Sequence, residues 1–253
     1  MSDSVYESTY IADREYREIL ERTIQYQKLL DRILARIRAS VNLESLCVDT
    51  SQDICWLLGI ERVAVYKFNE DWSGSFINNF GFARNPWNDI RAFGENLIWQ
   101  DTHLQKSQGG RYVKNESYSV TDVYEKGYPR CYIEVLEQFQ IRAYAVAPIF
   151  AGTKLWGLLA AYQHSQPRHW LADEVEFLHQ AGSYLGIAMQ QAETFARGEQ
   201  QTRKLLNSVV RQRALMEVVG NIRSSLDTKF IFDTTCKELC KLLNLERAAI
   251  FQF

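Results

Sequence analysis

"AYAVAPIFAGTKLWGLLAAYQH", Ala143 to His164, reads as two strands, AYAVAPIF and LWGLLAAYQH, joined at AGTK in the manner of a hairpin. Upstream lies a Gly- and Asn-rich segment from Phe80 to Ser119 with little periodicity. It predicts long pocket-forming loops, a length that is usually kept for functional reasons. Before it come the strand RVAVYKF (Arg62 to Phe68) and a second strand candidate, SFINNF. Asn42 is placed to cap a helix with apolar residues from Leu46 to Leu58. Downstream, a helical pattern starts at Leu171 and runs through IRSSL with no proline to stop it. The order helix, strands, loop-rich insertion, two strands, long exit helix predicts an α+β domain with one antiparallel sheet between helices.

Composition narrows the function. The chain has 253 residues, 46% apolar and 13% aromatic, enough for one full core domain and substantial further structure. Its longest apolar runs, such as LWGLLAAY, fall far short of the roughly 20 residues of a membrane span. The N-terminus pairs no basic start with an apolar stretch, so no signal peptide is predicted and a cytoplasmic location is expected. With 29 basic and 31 acidic residues the net charge is −2, which gives no electrostatic reason to expect nucleic acid or an anionic membrane as partner. The five cysteines, Cys47, Cys55, Cys131, Cys236 and Cys240, are odd in number and irregular in spacing, with no CxxC and no zinc-finger histidines. Neither disulfides nor a metal site is predicted.

The chain also repeats itself. IRASVNLESLCVDTSQDICWLLGIERVAVYKF, Ile37 to Phe68, aligns without gaps to IRSSLDTKFIFDTTCKELCKLLNLERAAIFQF, Ile222 to Phe253, a shift of 185 residues (222 minus 37). Identical pairs include Cys55/Cys240, Glu61/Glu246 and Arg62/Arg247. The repeat predicts a second domain of the same type, started at residue 222 and cut at its first strand, as in a fragment of a tandem protein. It also makes Cys55 and Cys240 small buried residues, the commonest fate of a free thiol. Cys131, between Tyr128 and Tyr132 and just ahead of an amphipathic helix, has no counterpart. Apolar positions at Tyr26, Leu30, Ile33, Ile37 and Val41 are spaced four and three apart, a stripe compatible with a coiled-coil seam. Leu205, Val209, Val219 and Ile222 mark the long exit helix, which is expected to join domains and pair with a second chain.

Several ordered elements together resemble the bilin-binding GAF domains of the cyanobacteriochromes, relatives of the phytochromes. They are WQDTHL (Trp99 to Leu104), GGRY (Gly109 to Tyr112), RCYIEVLEQFQIRAYAVAPI (Arg130 to Ile149) and LWGLLAAYQHS (Leu155 to Ser165). The resemblance implies residues 1–41 as an N-terminal helix, 42–192 as the bilin-binding GAF domain, 193–221 as a linker helix and 222–253 as a truncated second GAF domain. It implies that a linear tetrapyrrole, phycocyanobilin or alternatively biliverdin, is joined by a thioether to Cys131. Asp101 would accept from the pyrrole N–H groups, Arg111 and Tyr112 would hold a propionate, Trp99 would stack near the far ring, and Tyr162 would contact the D-ring. Taken singly these have plainer readings: a core thiol, a turn aspartate, a surface arginine, a strand tyrosine, a loop anchor and a core aromatic. His164 reads as a satisfied surface histidine.

Two departures bear on colour. Tyr132 stands where the family usually has a histidine against the pyrrole nitrogens, and a phenol does not titrate near neutral pH. His103 stands where blue- and violet-sensing members carry a second cysteine, so a two-cysteine cycle is not expected and a red/green or other long-wavelength cycle is. The implied function is reversible light sensing, passed through helices of a homodimer to an output outside this chain, such as a two-component histidine kinase or a chemoreceptor. The alternative is a GAF module that binds no bilin and serves dimerisation or a small ligand such as a cyclic nucleotide. An enzyme with Cys131 as nucleophile ranks below both, because only His103 offers a base.

Overall fold

The computed structural model describes residues 2–39, 42–78, 80–89, 102–224 and 228–251, with side chains throughout except at 2–13, 15, 88, 102, 103 and 222–224. Two compact units result, residues 1–192 and 193–253.

The first unit is built on an antiparallel sheet with strand order β2-β1-β6-β5-β4 and β3 paired to β1. The quoted hairpin is its centre: β5 (Ala143–Ala151) and β6 (Lys154–Gln163) pair through Ala143↔Gln163 to Ala151↔Lys154. β1 (Arg62–Phe68) lies on the other side of β6, with β2 (Gly74–Phe76) and β3 (Phe82–Ala83) on its outer edge, while β4 (Tyr118–Val120) flanks β5. Of the SFINNF candidate, β2 takes Ser75 and Phe76. The long segment expected as loops also holds β3, the short helix α3 (Thr102–Lys106) and β4. These pieces are too short for periodicity to register.

Because side chains alternate across a strand, the sheet has two apolar faces. Val63, Val65, Ala145, Ala147, Ile149, Leu159 and Ala161 point to one, where α1 (Ser2–Ala39), α2 (Leu43–Leu57) and the start of α5 (Ala172–Ser224) close the core. The Asn42 side chain caps α2, accepting from the N–H groups of Glu44 and Ser45. Cys47 and Cys55 lie in this core, where burial pushes both thiols up to about 12, and Cys55 Sγ donates to the carbonyl of Ile60. The α1 stripe differs from expectation: Leu30 is 2% and Ile33 0% exposed, packed with Tyr26 and Ile37 into the domain's own core. A four-three spacing fits any apolar partner, and here the partner is the sheet's helical layer; Val41 lies outside the described residues.

The second unit holds the rest of α5 and α6 (Thr228–Leu243). Shifted by 185 residues, α2 would start at residue 228, which is where α6 starts. The expected strand does not follow: residues 246–251 form none. Cys240, expected buried, is only half-buried, since α6 has no buried residue. No described helix is long and apolar enough to cross a membrane.

Candidate functional site

The second sheet face carries Ala64, Tyr66 and Phe68 from β1, Leu158, Ala160 and Tyr162 from β6, and Tyr144 and Val146 from β5. Register arranges them in rows. Arg62, Tyr162, Tyr144 and Val120 stand opposite one another across β1, β6, β5 and β4, and the next row is Ala64, Ala160, Val146 and Tyr118. Two alanines, Ala64 and Ala160, stand at the middle of a face otherwise edged by aromatic rings.

Over this face lies α4 (Arg130–Gln138), begun at Pro129, whose missing N–H costs nothing at a helix start. Leu136 and Phe139 are buried against the sheet side and Tyr132 and Ile133 pack beside them. Cys131, one position off that stripe, is the single exposed thiol of the five. Tyr132 meets Tyr128 edge to face, with centroids 4.9 Å apart, and the Tyr128 and Tyr144 hydroxyls are 2.6 Å apart. Burial pushes the Tyr128 phenol up to about 12 and raises that of Tyr144 further. Both are therefore neutral donors in this setting. Tyr162 packs against Phe80, centroids 5.4 Å apart, and Phe80 against Phe139 at 5.1 Å.

The GGRY motif forms a 3-10 turn, Gly110–Lys114. Gly109 enters it at φ +86, and a Cβ there would lie 2.8 Å from Trp72 and 2.9 Å from Leu155 and Val113, so any other residue would be strained at this position. The turn buries Tyr112 and leaves Arg111 exposed, its guanidinium carbon 3.8 Å from the centroid of the Tyr118 ring. Of the expected site residues, the structure thus gathers Tyr132, Tyr112, Tyr162 and Arg111 with Cys131 around one sheet face. Trp99 and Asp101 lie outside the described residues, as does the side chain of His103, whose backbone belongs to α3.

His164 is not at the surface. It is 6% exposed, stacked on Trp87, with Nδ1 3.0 Å from the carbonyl of Gln140 and Nε2 accepting from Arg62 Nε at 3.2 Å. A carbonyl on one side and a guanidinium donor on the other require a neutral ring protonated at Nδ1. Burial, with Arg62 adding to it, lowers its pKa to about 4. Arg62, 2% exposed, also donates to the carbonyl of Phe80 at 2.8 Å and to that of Trp87. Sequence reading missed this cluster because a charged residue in a strand and a polar QHS tail look like an exposed sheet end.

The GAF domain family model matches residues 42–189, more than half of the chain. The chain belongs to the GAF domain family. Among solved GAF structures, it is 39% identical to the far-red-absorbing dark state of JSC1_58120g3 with bound biliverdin IXa, covering 65% of this chain and 99% of that one at a TM-score of 0.54. It is 44% identical to the red-light-absorbing state of NpR6012g4, a red/green cyanobacteriochrome, over 60% of this chain and 97% of the other, with a TM-score of 0.56. A phycocyanobilin-bound GAF domain from a cyanobacterial phytochrome is 28% identical over 67% of this chain and 96% of its own, with a TM-score of 0.58. Two Synechocystis relatives are much longer. A putative methyl-accepting chemotaxis protein is 29% identical over 68% of this chain and 17% of its own length. The circadian input-output histidine kinase CikA is 27% identical over 72% of this chain and 27% of its own. The chain thus spans about a quarter or less of these two.

Proposed function

We propose that this GAF domain is a light sensor that holds a linear tetrapyrrole, phycocyanobilin or alternatively biliverdin, by a thioether to Cys131. The observation that carries the reading is the exposed Cys131 thiol on α4, beside a sheet face edged by tyrosines. The other four cysteines lie elsewhere, two of them in the opposite core. A bound bilin supplies visible absorption and a reversible double-bond isomerisation. Asp101 and Tyr132 serve the pyrrole nitrogens, Arg111 and Tyr112 a propionate, Trp99 and Tyr162 the far ring, and His103 stands where a second thiol would be needed. A long-wavelength cycle of the red/green kind follows from that set.

Signal transfer rests on β5. Its residues alternate between the site face (Tyr144, Val146) and the face on which α5 lies, where Gly182 and Gly186 approach the carbonyls of Pro148 and Phe150. A change in what Tyr162 and Tyr144 touch is therefore felt within one strand of α5, whose Leu205, Val209 and Met216 are exposed for a homodimer partner. Residues 222–253 begin a second GAF domain in this reading, supported by the coincidence of α6 with the shifted α2, and the output is a chemoreceptor or histidine kinase, as in the longer relatives.

Co-expression of the chain with a bilin pathway tests the proposal. The expected result is a covalent, photoreversible band that is lost in Cys131→Ala. A pigment-free wild type, or an unchanged covalent band in Cys131→Ala, overturns it; a pigment-free protein that binds a cyclic nucleotide in calorimetry would instead favour a small-ligand GAF module.

A further inference from the structure

Lys126 stands in the loop between β4 and α4 and belongs to no motif singled out above. Its ammonium lies 5.3 Å from the centroid of the Tyr118 ring, the same ring over which Arg111 sits at 3.8 Å. Neither cation has a carboxylate within ion-pair distance among the described residues. Two positive groups drawn to one ring repel each other, and an anion placed between them removes that cost.

The phenol between them is arranged to help. Burial would raise the Tyr118 pKa, yet hydrogen bonding from Lys126 and Tyr128 and the charges of Lys126 and Arg111 bring it below its ordinary value. Tyr128 in turn is tied to Tyr144 by the 2.6 Å contact, so its own proton has a fixed place in this chain of phenols. With its oxygen accepting from both neighbours, Tyr118 keeps its own O–H to give, and an acidified phenol is a strong donor to a carboxylate. Tyr118 closes the row of Ala64, Ala160 and Val146, so the trio stands at the β4 end of the proposed ligand face.

We infer that Lys126 and Tyr118 hold a carboxylate of the ligand, extending the Arg111 anchor into a two-cation site. The inference rests on the bilin reading above, since a linear tetrapyrrole supplies the propionate carboxylate that the two cations would share. Lys126 contributes a compact charge on a flexible stem, able to close on the carboxylate that Arg111 also holds.

The test uses the full chain, produced without pigment, mixed with phycocyanobilin as the free acid or as its dimethyl ester, with assembly followed by the growth of the protein-bound absorption band. For the free acid, Lys126→Ala and Tyr118→Phe should each assemble roughly fivefold to tenfold more slowly than wild type, the scale of a partly exposed charge-assisted hydrogen bond. For the ester, which offers no carboxylate, the same variants should match wild type, and Lys126→Arg should restore free-acid assembly. A loss of equal size with acid and ester would show that Lys126 and Tyr118 only support the fold, and would overturn the inference while leaving the bilin reading intact. Free-acid assembly at the wild-type rate in both variants would overturn it equally. A wild type that takes up neither form would remove the bilin reading and this inference together.

Discussion

His164 gives the fold a pH dependence that can be worked out before it is measured. Its ordinary value is 6.5 and burial lowers it to about 4, so between those limits the unfolded chain binds a proton that the native protein does not. Stability therefore rises with pH across the window and is lost as the solution is acidified through 6.5. The full difference, at 1.36 kcal/mol per pH unit, is about 3.4 kcal/mol, of which about 3 kcal/mol is gone by pH 4. At 6% exposure little solvent screening reduces it. Glu61 follows the same direction lower down. Its burial would raise the carboxyl, but hydrogen bonds from Ser165 and His164 hold it below its ordinary 4.5, so its stabilisation is lost only as pH falls below that range. Denaturant unfolding followed by tryptophan fluorescence from pH 7 to 4 would compare wild type with His164→Gln, whose amide donates and accepts without titrating. Wild type should lose about 3 kcal/mol more than the variant over that range, with most of the divergence below pH 6. Parallel curves for the two proteins, or an imidazole NMR titration of the native state near 6.5, would refute the buried neutral histidine.

Three further expectations concern the frame of the site. Tyr128→Phe removes the partner of the buried Tyr144 hydroxyl and should cost about 1–3 kcal/mol in a denaturation midpoint experiment, with no change in secondary structure by circular dichroism. Gly109→Ala combines a positive φ of +86 with contacts of 2.8–2.9 Å and should destabilise by about 1–3 kcal/mol; a thermally neutral variant would mean that the turn holding Arg111 and Tyr112 is not constrained there. Gly186→Ala would put a Cβ 2.1 Å from the carbonyl oxygen of Phe150, so α5 must move off β5, at a cost of about 2–4 kcal/mol read by the same unfolding measurement.

The elements legible in the sequence were those whose cause is local. The hairpin around Gly152, the α2 cap at Asn42 and the long proline-free α5 each carry their signal within a few residues. What was not legible depends on partners distant in the chain. RVAVYKF is a strand because β6, β2 and β3 hold it by hydrogen bonds, whereas its repeat, residues 247–251, is no strand among the described residues of a unit with no sheet. The spacing of the α1 stripe is compatible with a seam because it reports an apolar face but never which surface covers it. His164 was misplaced for the same reason. Its polarity is local, but its burial comes from Trp87, Arg62 and Gln140, as much as 102 residues away. Of the site, Tyr162 and Tyr144 share a row through strand register, while Lys126 and Tyr118 had no signal short of the folded loop that brings a second cation to one ring.

The internal repeat separates scaffold from site. The pair Glu61 and Arg62 recurs as Glu246 and Arg247, and in the first unit both act on backbone: the Glu61 carboxylate accepts from the N–H groups of His164 and Ser165, and Arg62 donates to the carbonyls of Phe80 and Trp87. Groups that bind peptide N–H and C=O can serve whatever side chains the attached loops carry, so the same pair suits two domains with different ligands. Cys131, Arg111, Lys126, Tyr118 and Tyr162 all lie beyond the repeated stretch, on the segments that the scaffold positions rather than in it. Arg62 still touches both. It stands opposite Tyr162 on the same face and grips the ends of the segment from Phe80 to Trp87. Replacing Arg62 should therefore lower stability as well as ligand uptake, whereas replacing Cys131 or Lys126 should lower uptake alone, and stability measured beside ligand uptake separates the two roles.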